Sequence, residues 1–219
     1  MKKNVDTAIL AAGAPPAHPV PLRLLREAGR LIACDGAWRT ALALGRTPDA
    51  VVGDGDSLMP GDRLELERLG IPLMTEAEQE TNDLCKAFRW ALRSGAAGRI
   101  AILGATGRRE DHAIGNVFHL PEFSVAAAAQ GASVSIVTDA GVFEPVLPPG
   151  RAWPEVCAGV PVSVFAPLPG TEMESEGLAW PLRGVALGAL WRGTLNRTSS
   201  AGFSVRTNRP ALLFLPHPN

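Results

Sequence analysis

Along the first 140 residues the apolar positions change period repeatedly. Short apolar and β-branched runs at 7–13, 31–34, 50–53, 72–75, 99–103 and 133–138 read as strands. Between them lie helical stretches: residues 22–28 closed by Gly29, about nine residues ending at Leu44 before Gly45 and Pro48, and residues 62–69 stopped by Gly70. The clearest helix opens at Thr81-Asn82-Asp83, where Leu84, Ala87, Phe88, Ala91 and Leu92 make one apolar stripe and Gly95 supplies the stop. Another begins at Asp111, and Pro121 is expected to break or kink it before the alanine run at 126–129. The loop carrying Pro15, Pro16, Pro19 and Pro21 is too rich in proline to predict helix.

This alternation predicts an α/β domain over residues 1–147, a doubly wound, mostly parallel, Rossmann-like sheet that binds ligands at the C-terminal ends of its strands. Near Pro148-Pro149 the character changes. Short alternating runs at 160–165, 187–191, 203–205 and 211–215, separated by Gly, Pro and Asn, predict a small all-β sandwich over residues 148–219.

Hydrophobic residues at 46%, charged residues at 20% and a formal net charge of -1 describe an ordinary globular chain with no general attraction to nucleic acid or an anionic membrane. A bound polyanion must therefore be held locally. No apolar stretch suits a bilayer span and the N-terminus does not read as a signal peptide, so a cytoplasmic protein without a membrane partner is expected. Cys34, Cys85 and Cys157 are odd in number and widely spaced, which supports neither a disulfide framework nor a zinc site; all three are expected to be buried thiols.

Candidate chemistry gathers at the strand ends. Val51-Val52-Gly53-Asp54-Gly55-Asp56-Ser57 closes a β-branched run with two carboxylates two residues apart, which on an extended segment project to one side and can grip one cation. The alternative is a turn that uses Asp and Gly only for backbone shape. Asp35, Asp83 and Asp111 also fall at element ends. Asp83 can instead stabilise a first helical turn, and Asp111 can be an N-cap. If the acids converge, a hard divalent cation, magnesium above all, relieves their repulsion and admits a phosphate chain. Gly104-Ala105-Thr106-Gly107-Arg108-Arg109 lies between a strand and a helix, where backbone N–H groups and arginines hold phosphate, although it is neither a Walker A nor a dinucleotide fingerprint. Lys86 stands one turn after Asp83 and can reach a phosphate, with a solvated lysine the commoner outcome. His112 can contact a nucleotide or be structural, and the five tryptophans default to core.

Taken together, Asp35-Gly36-Ala37, Pro48 to Ser57, Gln79-Glu80-Thr81-Asn82-Asp83-Leu84-Cys85-Lys86-Ala87 and Gly104 to His112 resemble the thiamine pyrophosphokinase family, as do Gly177 to Leu182 and Gly193-Thr194-Leu195-Asn196 near the C-terminus. The resemblance implies an ATP- and magnesium-binding α/β domain, a C-terminal β-sandwich, and a homodimer with thiamine held between domains of opposite subunits. It implies transfer of pyrophosphate from ATP to the thiamine hydroxyl with release of AMP. It carries magnesium to Asp54, Asp56 and Asp83, with Arg109 and Asp111 as further catalytic residues. Nucleotide contacts fall on Asp35, Gly36, Ser57, Gln79, Asn82, Lys86, Gly104, Thr106, Gly107, Arg108 and His112, and thiamine contacts on Trp180, Thr194 and Asn196. The general base is left open between Asp111 and Asp35. Asn82, Gly55, Ala179 and Leu195 depart from the residues usual in the family, and the last two touch the substrate end. Two other readings stand beside thiamine: a pyrophosphokinase of this fold for another heterocyclic alcohol such as a pterin, and a nucleotide-binding regulatory module without turnover.

Overall fold

The computed structural model describes residues 5–76, 78, 80–186 and 190–218, and the side chains at 185–186 and 190–191 are not part of that description. The chain divides into two compact units: residues up to His119 with Ala127–Asp139, and Leu120–Ala126 with Ala140 onward. The first unit runs β1 (Thr7–Leu10), α1 (Pro19–Glu27), β2 (Arg30–Cys34), α2 (Trp38–Ala43), β3 (Ala50–Gly53), α3 (Asp62–Arg68), β4 (Leu73–Thr75), α4 (Asp83–Arg93), β5 (Gly98–Leu103) and α5 (Glu110–Phe118). After α6 (Leu120–Ala128), most of which groups with the second unit, β6 (Ala132–Val137) completes it.

The strand order is β6-β5-β1-β2-β3-β4, and every pairing is parallel. All residues of β1 and β3 are buried, so both faces of these strands are covered, as a parallel sheet requires. The chain winds outward from β1 to β4 and then returns to β5 on the other side of β1. That reversal opens a crevice at the C-terminal ends of β1 and β5. The segments leaving the two strands are zipped together: Ala11 N–H donates to the Leu103 carbonyl (2.8 Å), Gly13 N–H to Gly104 (2.7 Å) and Ala14 N–H to Thr106 (2.8 Å).

Two local differences from the sequence expectation have clear causes. Pro19 and Pro21 lie inside α1, because the first-turn N–H groups of a helix have no intrahelical partner and proline there costs nothing; His18 caps the turn by accepting from Val20 N–H at 3.2 Å. The helix expected up to Leu44 starts as a 3-10 turn at Asp35–Ala37 before α2. On α4 the five stripe residues are buried as expected, Asn82 caps the helix through Cys85 N–H (3.0 Å), and Gly95 follows it at φ 84°.

The second unit contains β7 (Gly141–Val146), β8 (Gly150–Trp153), β9 (Pro161–Phe165), β10 (Glu172–Glu176), β11 (Arg183–Ala186), β12 (Asn196–Arg197), β13 (Phe203–Thr207) and β14 (Ala211–Pro216). Within it, β12-β9-β14-β7 and β11-β10-β13-β8 pair antiparallel. Val162, Val164, Met173, Phe203, Val205 and Leu213 share one buried core with Trp153, whose ring stacks on Phe203 at 4.8 Å. The division at residues 139 and 140 places β7 with this unit, one strand before the composition changes at Pro148-Pro149. The run at 187–191 does not form the expected strand in its described part: Leu190–Gly193 is a 3-10 turn, and 187–189 lie outside the described residues. Cys157 is exposed, whereas Cys34 and Cys85 are buried. No described helix is long and apolar enough to cross a membrane.

Candidate active site

Three strand or helix ends deliver the acids. Asp35 follows β2, Asp54 follows β3, and Asp83 opens α4; one oxygen from each lies within 4.8 Å of the others. Asp35 is only 1% exposed and lies against the α-carbon of Gly53, where an added Cβ would come within 2.6 Å of the Asp35 Cγ. Glycine at 53 is what allows the carboxylate in. Asp35 Oδ2 accepts from Gly55 N–H at 2.9 Å, while Asp35 Oδ1 and Asp83 Oδ1 are buried without a hydrogen-bond partner. Unpartnered buried carboxylate oxygens are costly, and a hard cation is the partner they suit. Burial, and then the charges of Asp35 and Asp54, push the Asp83 pKa up to about 6.

Lys86 is the counter-charge. Its Nζ donates to Asp54 Oδ2 at 2.6 Å and lies 3.6 Å from Asp83 Oδ1, and the side chain is 1% exposed. The solvated alternative for Lys86 does not hold: α4 buries this residue among the acids. The hydrogen bond from Lys86 holds the Asp54 carboxylate below its usual pKa.

Asp56 does not share a face with Asp54. The extended segment ends at Gly53, Gly55 turns the chain at φ 87°, and Asp56 N–H bonds back to Asp54 Oδ1 at 3.1 Å, which leaves the Asp56 side chain exposed. Side chains two apart align only while the backbone stays extended. Asp35, from the neighbouring strand, is the third member of the cluster instead.

The cluster opens into a cleft of about 470 Å³ whose walls include Ser57, Thr106, Arg108, Arg109 and His112. Gly104 and Gly107 adopt φ 62° and 84°, the left-handed geometry that shapes the loop after β5. Gly36 is exposed beside Ala12 and Ser57. Arg108 donates to the Ala12 carbonyl at 3.5 Å. Arg109 is clamped on Asp111 by two bonds, Nε to Oδ1 at 3.1 Å and a terminal nitrogen to Oδ2 at 2.5 Å. That pairing pushes the Asp111 pKa down to about 2, so Asp111 is a poor proton acceptor, and the N-cap of α5 is Arg109. Asn82 spends its amide inside the protein, accepting from Cys85 N–H and donating to Asn116 Oδ1 at 3.0 Å. Asn116 in turn donates to the Ala105 carbonyl at 2.8 Å, tying α4, α5 and the loop after β5 together. Sequence reasoning missed Asn116; the signal was one amide within the apolar run around Ile114 and Val117. Gln79 lies outside the described residues.

In the second unit Trp180, Leu182, Arg192, Thr194, Leu195 and Asn196 line a cleft of about 540 Å³. Trp180 is not core: it is 57% exposed, with the Arg197 guanidinium 5.5 Å from its ring centre. Asn196 is buried and holds the Trp180 backbone at both ends, donating to its carbonyl at 2.7 Å and accepting from its N–H at 3.2 Å. Leu195 has φ 60° and is 88% exposed.

The model of the thiamin pyrophosphokinase catalytic domain matches residues 22–134, more than half of the chain. The chain belongs to the thiamin pyrophosphokinase family. The family's substrate-binding domain matches residues 141–214, so the acid cluster falls in the catalytic range and the Trp180 cleft in the substrate-binding range. Thiamine pyrophosphokinase 1 of Oryza sativa is 35% identical over 83 residues, covering 35% of this chain and 31% of that protein. Thiamine pyrophosphokinase of Bacillus subtilis is 36% identical over 87 residues, covering 39% and 40%. The matched stretches therefore span well under half of these relatives. The solved structure of the Bacillus subtilis enzyme superposes with a TM-score of 0.75 at 19% identity, covering 97% of this chain and 99% of that one, which shows the shared thiamin pyrophosphokinase fold.

Proposed function

We propose that the protein transfers pyrophosphate from ATP to the hydroxyl of thiamine, giving thiamine diphosphate and AMP. The observation that carries this reading is the cluster of Asp35, Asp54 and Asp83 at the head of a cleft edged by Arg108 and Arg109, within a chain of this family. Magnesium is proposed to be held by Asp54 and Asp83, with Asp56 meeting it from the exposed turn; the oxygens of Asp35 and Asp83 that lack a hydrogen bond fit a hard cation. When bound, magnesium supplies charge neutralisation along the triphosphate and polarises the phosphorus under attack.

The protein's own groups supply position and charge. Backbone N–H groups of the 104–107 loop cradle phosphate at the entrance to α5, and Ser57, Thr106 and His112 line the nucleotide's path. Arg109 leaves Asp111 to pair with the departing AMP phosphate. The hydroxyl proton is proposed to pass to one of the two candidate bases, Asp35 or Asp111, the latter freed once Arg109 has moved to the phosphate. Trp180 offers a flat aromatic face to a cationic ring, and Thr194 and Arg192 border it. We also propose a cytoplasmic homodimer, since the exposed Trp180 and Leu195 form an apolar surface suited to burial by a second copy.

A turnover assay with ATP, magnesium and a panel of heterocyclic alcohols tests the reading. Thiamine is expected to be the preferred acceptor, with AMP formed in equal amount; preference for a pterin alcohol would move the substrate, and ATP binding without AMP formation would leave only a regulatory module. Asn196→Ala is expected to raise the KM for thiamine about tenfold and to leave that for ATP nearly unchanged, because it releases Trp180 and touches nothing in the nucleotide cleft; a single hydrogen-bonded anchor is worth about that much. Equal loss of both would remove the alcohol-specific role.

The raised pKa of Asp83 gives a pH-dependent expectation. A carboxylate whose folded pKa lies above its unfolded value of 3.8 binds more protons when folded, so its contribution to stability declines as pH rises from near 4 to about 6. Magnesium relieves that penalty only when the group is ionised. The increase in melting temperature on adding magnesium is therefore expected to be larger at pH 7.5 than at pH 5; an equal or larger increase at pH 5 would count against metal at this carboxylate.

A further inference from the structure

The position of Lys86 sets it apart from the other cations near the nucleotide cleft. Arg108 and Arg109 are exposed and form part of its wall, whereas Lys86 is buried and does not. Its Nζ occupies the inside of the acid cluster, 2.6 Å from Asp54 Oδ2 and 3.6 Å from Asp83 Oδ1. These are oxygens of the two carboxylates proposed to hold magnesium. The ammonium and a metal ion thus compete for the same pair of acids.

We infer that Lys86 is a resident counter-cation that disfavours free magnesium in the cluster and lets the metal in together with a triphosphate. The inference rests on the magnesium reading above and adds an order to it. Without the ammonium, three carboxylates within 4.8 Å face one another with no positive charge among them, a costly arrangement in a partly dehydrated site. With it, a lone magnesium ion must shed water and also displace the ammonium from Asp54, leaving a buried cation without its partner. A metal arriving on a triphosphate brings phosphate oxygens that accept the displaced ammonium. Both charges then remain paired, and metal and nucleotide bind with positive coupling. A lysine on a flexible stem suits this exchange better than the rigid fork of arginine.

The test measures binding of magnesium alone, by calorimetry and by melting temperature, to the wild-type chain and to Lys86→Met, Lys86→Gln and Lys86→Arg. The glutamine variant keeps a neutral hydrogen-bond donor on the side facing Asp54 and serves if the methionine variant does not fold. Both neutral variants are expected to melt lower than wild type without metal. They are also expected to bind magnesium alone at least about tenfold more tightly, since one unit charge at this distance outweighs that factor even in a well-screened site. Lys86→Arg, which keeps the charge, should stay near the wild-type affinity for magnesium alone. The wild-type chain should bind magnesium far better with ATP present than without it. Unchanged or weaker magnesium binding by the folded neutral variants would overturn the inference while leaving the metal reading intact. If neither the wild-type chain nor any variant bound magnesium, with or without ATP, the metal reading itself would fall and this inference with it.

Discussion

Asp54→Asn is expected to give a folded protein whose turnover is lower by at least about a hundredfold, the scale of losing a charge-stabilising group from a transition state. The substitution keeps size and hydrogen-bonding capacity and removes the one carboxylate shared by Lys86, the Asp56 turn and the cluster. Lys86 still has Asp83 at 3.6 Å, so the fold survives and circular dichroism should not change. The magnesium concentration needed for half of the residual activity should rise. A loss of the same size is expected from Asp56→Asn, whose exposed carboxylate is proposed to meet the metal from the Gly55 turn. Wild-type turnover in that variant would transfer its place to Asp35, the buried acid that the structure brings into the cluster. Normal turnover in Asp54→Asn would remove the site as a whole.

The second large effect is expected at a residue with no side chain. Gly13 donates its N–H to the Gly104 carbonyl at 2.7 Å, and a Cβ at 13 would lie 2.4 Å from that oxygen and 2.7 Å from the Thr106 carbonyl. Both obstacles are backbone, so no side-chain rotation relieves them. Gly13→Ala should separate the segment after β1 from the loop after β5, at a cost of about 1–3 kcal/mol, the range for overpacking. In a chain of this size that corresponds to a melting temperature lower by roughly 2–4 °C for each kcal/mol. The KM for ATP should rise about tenfold, and that for thiamine should move little, because the disturbed loop is the one proposed to hold phosphate; a tenfold change corresponds to about 1.4 kcal/mol of binding. Gly115→Ala is the control: it lies within α5 with nothing within 4 Å of the added Cβ, and it should stabilise the helix by about 0.5–1 kcal/mol. A Gly13→Ala protein as stable as wild type would mean that the zipped loops are not what supports the cleft.

The sequence by itself determined the order of elements in the first unit and the chemistry available at their ends. Strand and helix periods are local properties, and glycine, proline and caps punctuate them, so β3 at Ala50–Gly53 and the buried stripe of α4 were legible residue by residue. The family-like runs at 48–57, 79–87 and 104–112 were legible for the same reason, since each is continuous in the chain. Tertiary structure decided which acids meet. Asp54 and Asp56 are neighbours in sequence and separate at the Gly55 turn, whereas Asp35 and Asp83 come from distant positions and converge because β2 pairs with β3 and α4 begins beside them. It also decided the state of two side chains whose type is normally solvated or buried: Lys86 is buried because the Asp54 and Asp83 carboxylates offset its charge, and Trp180 is exposed because Asn196 holds its backbone at the rim of a cleft. Convergence, burial and charge balance are sums over residues far apart in the chain, and no period within one segment encodes them.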